Sequence, residues 1–132
     1  GKDINLGIGL DYDPRCINCA NAINNYYKYN LSFYVCDFDK SNLNIIENYV
    51  PYEISIDIVI VLSMGSWVKQ WRKLYKFAST LSNSMIFEAN NKREGIPQLA
   101  LLRTLYTNIK LISEYSYDDP SNHGRQLYLL TR

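Results

Sequence analysis

Ile54-Ser-Ile-Asp-Ile-Val-Ile-Val-Leu62 is the stretch of this sequence that decides the fold. Its second half, from Ile58 to Leu62, is an unbroken run of aliphatic and mostly β-branched side chains with little alternation. Such a run predicts a strand covered on both faces, which is typical of a parallel sheet. Because parallel strands are joined by crossover connections, helices should alternate with strands on either side of it.

The flanking sequence shows that alternation. Before this stretch we predict a strand over 4–10, a helix opened by Asp13 and Pro14 and running to Tyr27, a strand over 31–36 and a short helix over 41–49. After it we predict a helix over 66–81, a strand over 85–87, a loop over 89–95, a helix from Pro97, and two strands over 109–115 and 126–130. The order predicts an α/β fold of three layers, with a mostly parallel sheet and an antiparallel carboxyl-terminal edge hairpin.

Hydrophobic spacing also predicts which helix faces are buried. In the first helix, we predict that Cys16, Ala20, Ile23 and Tyr27 face inward and that Asn18, Asn21, Asn25 and Lys28 face the solvent. In the helix over 66–81, the predicted buried stripe is Val68, Trp71, Leu74, Tyr75, Ala78 and Leu81.

Length and composition fit one domain over residues 1–132 and exclude several classes of protein. The 132 residues are 47% hydrophobic and 20% charged, which excludes a disordered or low-complexity chain. A net charge of +1 gives no basic field for nucleic acid, and the longest apolar run is too short to span a membrane. Three cysteines are an odd number, which favours reduced thiols and a cytoplasmic location.

Notable side chains stand where four of the predicted strands end. Asp11, Asp37, Ser63 and Glu88 each follow or close a strand. In an open parallel sheet, ligands bind beyond the carboxyl ends of the strands, where an acid can accept hydrogen bonds from ribose hydroxyls. An acid in this place can also simply cap the next helix, and both interpretations of Asp11 and Asp37 stay open at this point.

The segments around these residues resemble those of class I S-adenosylmethionine-dependent methyltransferases, which have a Rossmann-like sheet. The resemblance runs in the family's order through five segments: Gly-Leu-Asp-Tyr-Asp-Pro at 9–14, Cys-Asp-Phe at 36–38, Asp-Ile-Val-Ile-Val-Leu-Ser at 57–63, Met-Ile-Phe-Glu-Ala-Asn at 85–90 and Gly-Arg-Gln-Leu-Tyr at 124–128. It covers nearly the whole chain, and each segment alone is a weak signal.

The resemblance implies S-adenosylmethionine as cofactor and a role for each matching residue. Asp11 would hold the ribose hydroxyls and Tyr12 would pack on the adenine. Asp37 would accept from the adenine amino group, with the Phe38 amide near the ring. Leu62 and Ser63 would line the site under the methionine part, and the acceptor would meet Met64, Trp67 and Glu88.

The sequence departs from the family at its beginning. Family members begin with a strand and a glycine-rich loop that approaches the cofactor, and only ten residues precede Asp11 here. Gly7 and Gly9 lie inside the strand that ends at Asp11, so they are not that loop. Two interpretations follow: the chain is part of a longer catalytic domain, which we favour, or its sheet has closed over the position of the missing strand.

The segment after Leu62 bears on the acceptor. The Asn-Pro-Pro-Tyr type of loop, which relatives use on exocyclic base nitrogens, is absent. Ser63-Met-Gly-Ser-Trp67 is similar to relatives with a Leu-Ser-x-x-x-Trp stretch, which act on small molecules, glycans or RNA ends. We therefore expect one of these acceptors and no membrane partner.

Other constellations have structural explanations beside functional ones. Cys16 and Cys19 form a C-x-x-C pair at a helix start, for which packing is favoured over redox chemistry. A zinc site from these two with Cys36 and His123 has the right ligand number but an unusual spacing. His123, the single histidine, lies in a polar turn and is expected to be solvated rather than a general base.

Two alternative functions remain. Without the glycine-rich loop, the chain would be a truncated non-catalytic α/β module that acts through a protein partner covering the groove of the missing strand. A nicotinamide-dependent reductase is the third possibility, because Asp11, the acid that ends the strand before the first helix, also suits that cofactor's ribose. The Cys-Asp-Phe segment favours the methyltransferase.

Overall fold

A computed structural model describes residues 4–50, 54–116 and 125–132. The chain divides into two compact units, Gly1–Glu53 and Ile54–Arg132. The first unit contains β1 (Gly7–Asp11), α1 (Pro14–Tyr27), β2 (Leu31–Val35) and a 3₁₀ helix (Leu43–Tyr49). The second contains β3 (Val59–Leu62), α2 (Trp71–Leu81), β4 (Ser84–Glu88), α3 (Lys92–Leu102), β5 (Asn108–Ser113) and β6 (Leu127–Thr131). This confirms the predicted order of elements and a mixed α/β fold.

In the first unit, β1 and β2 form a two-stranded parallel sheet joined by α1. Gly7 pairs with Leu31 and Gly9 pairs with Phe33. A Cβ atom at either glycine would overlap the facing side chain. The two glycines therefore give the larger β2 side chains room to lie across β1.

The predicted start of α1 is confirmed, and its predicted buried face is wrong. The Asp13 side chain accepts from the Arg15 amide, as expected of an N-cap before Pro14. Ile17 is the one buried helix residue, whereas Cys16, Ile23 and Tyr27 are exposed. A sheet of two strands covers less of the helix than a broad sheet would, so the wide apolar stripe read from the sequence is not buried.

Two asparagines of α1 bind the outer edge of β2. Asn21 donates to the Phe33 carbonyl at 3.3 Å and Asn24 donates to the Leu31 carbonyl at 2.8 Å. The predicted solvent-facing position of Asn21 is therefore wrong, because its amide satisfies a strand carbonyl. An edge strand covered in this way is protected from pairing with another strand.

The opposite edge of this small sheet has no such cover among the residues described. Gly7 donates its N–H to Asn30, and Cys36 donates its N–H to the Asp11 carbonyl. Because backbone groups alternate in direction along a strand, Ile8 and Leu10 point theirs away from β2. In the described part of the chain, β1 pairs with β2 alone.

The second unit contains a four-stranded sheet in the order β3-β4-β6-β5. Strands β3 and β4 are parallel, and β6 is antiparallel to both β4 and β5. The predicted antiparallel pair is confirmed, but of its two strands β6 lies inside the sheet and only β5 is at an edge. A register shift between Leu111 and Ser113 and the exposed Lys110 mark that edge, as is typical of edge strands.

One face of this sheet forms the core of the unit. The side chains fully buried there include Tyr75, Met85, Phe87, Leu102 and Leu130. Tyr75 of α2 packs edge-on against Phe87 of β4, with ring centroids 5.6 Å apart. The predicted stripe of α2 is confirmed at its centre, where Leu74, Tyr75 and Ala78 are buried.

The prediction that β3 is covered on both faces is wrong for the described residues. Val61 is 4% exposed, but Ile60 is 56% exposed and Leu62 52% exposed. The Ser63 N–H donates to the Glu88 carbonyl, so the backbone groups of Ile60 and Leu62 point away from β4. The alternating exposure shows one bare apolar face on β3, and in the described part of the chain β3 pairs with β4 alone.

Two helix starts differ from their predicted positions. Helix α2 begins at Trp71 rather than at Ser66, because residues 64–70 form turns closed by the Trp67 and Val68 amides on the Met64 carbonyl. Helix α3 begins at Lys92, before Pro97, because the Asn91 side chain accepts from the Glu94 amide at 2.9 Å. The predicted loop over 89–95 is correspondingly shorter.

Candidate functional site

The carboxyl ends of β1 and β2 bring two predicted acids side by side. The Cys36 amide donates to the Asp11 carbonyl at 2.8 Å, so Asp11, which ends β1, is hydrogen-bonded to the residue that precedes Asp37. The Asp13 amide donates to Asp11 Oδ1 at 2.8 Å, which orients the Asp11 carboxylate at the end of its strand. Two acceptor groups thus lie at one edge of the first unit.

Asp37 is held by the turn that follows β2. The Asp39 amide donates to its Oδ1 at 3.0 Å, and Lys40 Nζ lies 3.0 Å from its Oδ2. The Lys40 ammonium holds the pKa of Asp37 below its ordinary value, so this carboxylate is ionised and acts as a hydrogen-bond acceptor. The turn after β2 therefore already occupies part of the hydrogen-bonding capacity of the Asp37 carboxylate.

The aromatic neighbours of the two acids differ in exposure. Tyr12 is 66% exposed, so one flat ring stands in solvent next to Asp11. Phe38 is buried, so its side chain packs in the unit and only its backbone is suited to meet a ligand. The first unit brings together all four residues predicted for the adenosine part of a cofactor.

The second unit contains a polar cluster at the carboxyl ends of β3 and β4. Ser63 Oγ donates to Glu88 Oε1. Arg125, just before β6, donates to the same oxygen through Nε at 3.2 Å and Nη2 at 2.6 Å. The antiparallel pairing of β6 with β4 places Arg125 at this end of the sheet, since Leu127 pairs with Glu88.

Ser63 has a left-handed backbone that its neighbours maintain. Its φ is 50°, which is uncommon for a residue other than glycine. Asn90 Nδ2 donates to the Ser63 carbonyl at 2.5 Å, and Asn90 Oδ1 accepts from the Ser66 amide at 3.1 Å. One amide side chain therefore clamps both sides of the segment over 63–66.

The loop after β3 presents the remaining predicted residues. Leu62 at the end of the strand is 52% exposed, and Trp67 is 76% exposed. Met64 is half-buried and accepts from the amides of Trp67 and Val68. Gly65 lies against Gln98, where a Cβ atom would overlap the amide, so the loop backbone approaches α3 closely. Leu62, Ser63, Met64, Trp67 and Glu88 thus occupy one end of the second unit.

Sequence reasoning missed Arg125 and Asn90 as members of this cluster. Arg125 is 37 residues from Glu88, and no spacing in the sequence relates the two. Asn90 is 27 residues from Ser63. Only the pairing of the strands brings these side chains together, although an acid closing β4 was a signal that a cationic partner is needed.

The alternative cysteine and histidine sites receive no support. The prediction that Cys16 packs inward is wrong, since Cys16 and Cys19 are exposed while Cys36 is buried. Burial raises the pKa of the Cys36 thiol. Within residues 4–50, 54–116 and 125–132, no group of three metal-ligating side chains occurs. His123 lies outside the described residues.

Among the described helices, none has the length and apolar character needed to cross a membrane.

Comparison with known proteins defines the fold. No family model matches the sequence, and no curated protein matches it. The structure is similar to the crystal structure of EvdMO1, with a TM-score of 0.67 at 13% identity over 95% of this chain and 31% of that chain. It is also similar to an rRNA methylase from Escherichia coli, with a TM-score of 0.54 at 10% identity over 95% of this chain and 48% of that one. The chain has a methyltransferase-like fold and spans about a third to a half of these proteins.

Proposed function

We propose that the chain is the carboxyl-terminal part of the catalytic domain of an S-adenosylmethionine-dependent methyltransferase. The observation that carries this proposal is the pair of acids, Asp11 and Asp37, on adjacent strand ends of a methyltransferase-like fold. We propose a small molecule, a glycan or an RNA end as the acceptor. The chain spans less than half of the methylase whose fold it shares, so the whole enzyme's activity is part of the proposal.

The residues of the first unit fit the adenosine part of this cofactor. Ribose hydroxyls and an adenine amino group are donors, and Asp11 and Asp37 are acceptors on neighbouring strands. The exposed Tyr12 ring offers a flat apolar surface for stacking on the adenine. The Phe38 backbone amide follows directly after Asp37 and would donate to a ring nitrogen.

The second unit would serve the reacting end. S-Adenosylmethionine supplies an electrophilic methyl group, whose bond to sulfur breaks with its electron pair remaining on sulfur as the acceptor's lone pair forms the new bond. Leu62 and Ser63 would line the methionine part, and Met64, Trp67 and Glu88 would contact the acceptor. Alignment of the two reactants can by itself supply much of the rate enhancement of such a displacement.

The free strand edges of the described residues support the proposal that strand pairing is incomplete in this chain. The outer edge of β2 is covered by Asn21 and Asn24, and the outer edge at β5 carries a register shift and a lysine. Strands β1 and β3 each have one partner in the described chain and one bare edge. We propose that further strands of a longer protein, one of them followed by the glycine-rich loop, pair with these edges.

Isothermal calorimetry with S-adenosylhomocysteine tests the proposal on the full-length protein. We expect Asp11→Ala to weaken binding by about 10- to 100-fold, because a lost hydrogen bond to a charged acceptor costs about 1.5–3 kcal/mol. Asp57→Ala, which changes an exposed acid in the second unit, is the matched control and should leave the affinity unchanged. No binding by the full-length protein, or equal effects of the two variants, would contradict the proposal.

A further inference from the structure

In the polar cluster of Ser63, Glu88 and Arg125, only one of the two oxygens of the Glu88 carboxylate accepts hydrogen bonds from the described residues. All three hydrogen bonds to this side chain, from Ser63 Oγ and from Arg125 Nε and Nη2, end on Oε1. A carboxylate has about four acceptor positions on its two oxygens. Within the described part of the chain, no residue donates to Oε2.

This second oxygen is accessible although the cluster is largely buried. The side chain of Glu88 keeps 11% of its exposure and that of Arg125 keeps 19%. Oε2 is not among the described buried side-chain atoms that lack a partner, so it is open to water or to a ligand donor. Because the Arg125 guanidinium and the Ser63 hydroxyl both bind Oε1, Oε2 keeps its own acceptor positions for that donor.

The charge of the cluster restricts what this oxygen can recognise. The Arg125 guanidinium at 2.6 Å balances the carboxylate charge, so the pair offers no net negative charge for an ammonium group. An ionised carboxylate accepts hydrogen bonds and donates none, so it does not recognise an ether, a thioether or a carbonyl oxygen. A neutral group with an O–H or N–H remains as the fitting partner.

We propose that Glu88 Oε2 orients the methyl acceptor and that the acceptor is a neutral hydroxyl or neutral N–H group. This inference rests on the proposed methyltransferase function and narrows its acceptor class. Arg125 and Ser63 are positioning residues, because they donate hydrogen bonds to Oε1 and leave Oε2 available for the acceptor. The methyl carbon leaves sulfur with the bonding electrons staying on sulfur, the acceptor oxygen or nitrogen supplies the new pair, and the proton held at Oε2 passes to solvent.

The test is formation of S-adenosylhomocysteine by the full-length protein, supplied with S-adenosylmethionine and one of three acceptor pools. The first pool contains neutral alcohols, phenols, sugars and neutral amides. The second contains the same compounds with each O–H and N–H methylated, and the third contains primary ammonium compounds. We expect turnover with the first pool and none with the second or third. Turnover with the second or third pool, or none with the first, would overturn the inference.

Variants of single residues test this inference separately from the proposed function on which it rests. We expect Glu88→Gln to lower kcat/KM for the active compound by about 10- to 100-fold while leaving the affinity for S-adenosylhomocysteine unchanged. Glu114→Gln, an exposed acid following β5, is the matched control and should retain activity. If the protein binds S-adenosylhomocysteine and Glu88→Gln retains activity, the inference alone fails. If it binds no S-adenosylhomocysteine, the proposed function fails as well.

Discussion

At the scale of single residues, α1 depends on the charge of Asp13. Its side chain accepts from the Arg15 amide at 2.8 Å, and the Arg15 guanidinium lies 2.7 Å from its second oxygen. These bonds to Arg15 lower the pKa of Asp13 from its ordinary value of 3.8 to about 2. The carboxylate charge therefore favours the folded helix over the unfolded chain.

We expect the stability of α1 to fall between about pH 4 and pH 2. Because the pKa of Asp13 is lower in the folded state, this contribution is present above the unfolded value and is lost as the pH falls through the folded value. Amide exchange in α1, followed by NMR from pH 5 to pH 2, measures it. Asp13→Asn retains a cap without the charge and should flatten the profile, whereas Asp57→Asn should not. Equal profiles for Asp13→Asn and the unchanged chain would contradict this prediction.

At the scale of elements, the two sheets differ in how their edges are protected. Asn24 and Asn21 cover β2, whereas β1 and β3 leave the backbone groups of Ile8, Leu10 and Ile60 without a strand partner among the described residues. Natural proteins usually block or cover long free edges. The edges of β1 and β3 thus keep backbone groups that could pair with a further strand, as proposed above.

We expect amide exchange to alternate along β1 and β3. In the 132-residue chain, the amides of Ile8, Leu10, Ile60 and Leu62 should exchange fast, because they point away from the neighbouring strand. The amides of Gly9 and Val61 point toward their partners and should exchange slowly. In the longer protein proposed above, all six should be slow. Residue-resolved NMR exchange measures this, and fast outward-facing amides in the full-length protein would exclude a strand on these edges.

At the scale of the whole molecule, the core is concentrated in one unit. The largest fully buried side chains, which include Tyr75, Phe87 and Met85, belong to Ile54–Arg132. The other unit, Gly1–Glu53, has two strands and few buried side chains, such as Ile17 and Phe38. A two-stranded sheet has little apolar area to offset the entropy of folding.

We therefore expect the two units to differ when they are expressed separately. Residues 54–132 should unfold cooperatively on heating, because their four-stranded sheet and two helices bury a continuous core. Residues 1–53 should show no cooperative transition. Circular dichroism against temperature, with the 132-residue chain as the reference, measures both. A cooperative transition in residues 1–53 would contradict the prediction.

The sequence alone determined the order and type of the elements. Their signals are local: Asp13 and Pro14 start a helix, and the run from Ile58 to Leu62 specifies a strand. The strand-end acids Asp11 and Asp37 were also found this way, because a strand end is a local feature. The roles of these acids in a cofactor site stay predictions.

Only the tertiary structure decided which faces are buried and which side chains meet. Burial depends on what packs against an element, so neither the bare face of β3 nor the inward Asn21 could be read from periodicity. The meeting of Glu88 with Arg125 follows from the antiparallel pairing of β6 with β4 across 37 residues. Strand pairing depends on contacts between residues far apart in the sequence, so local sequence patterns do not predict it.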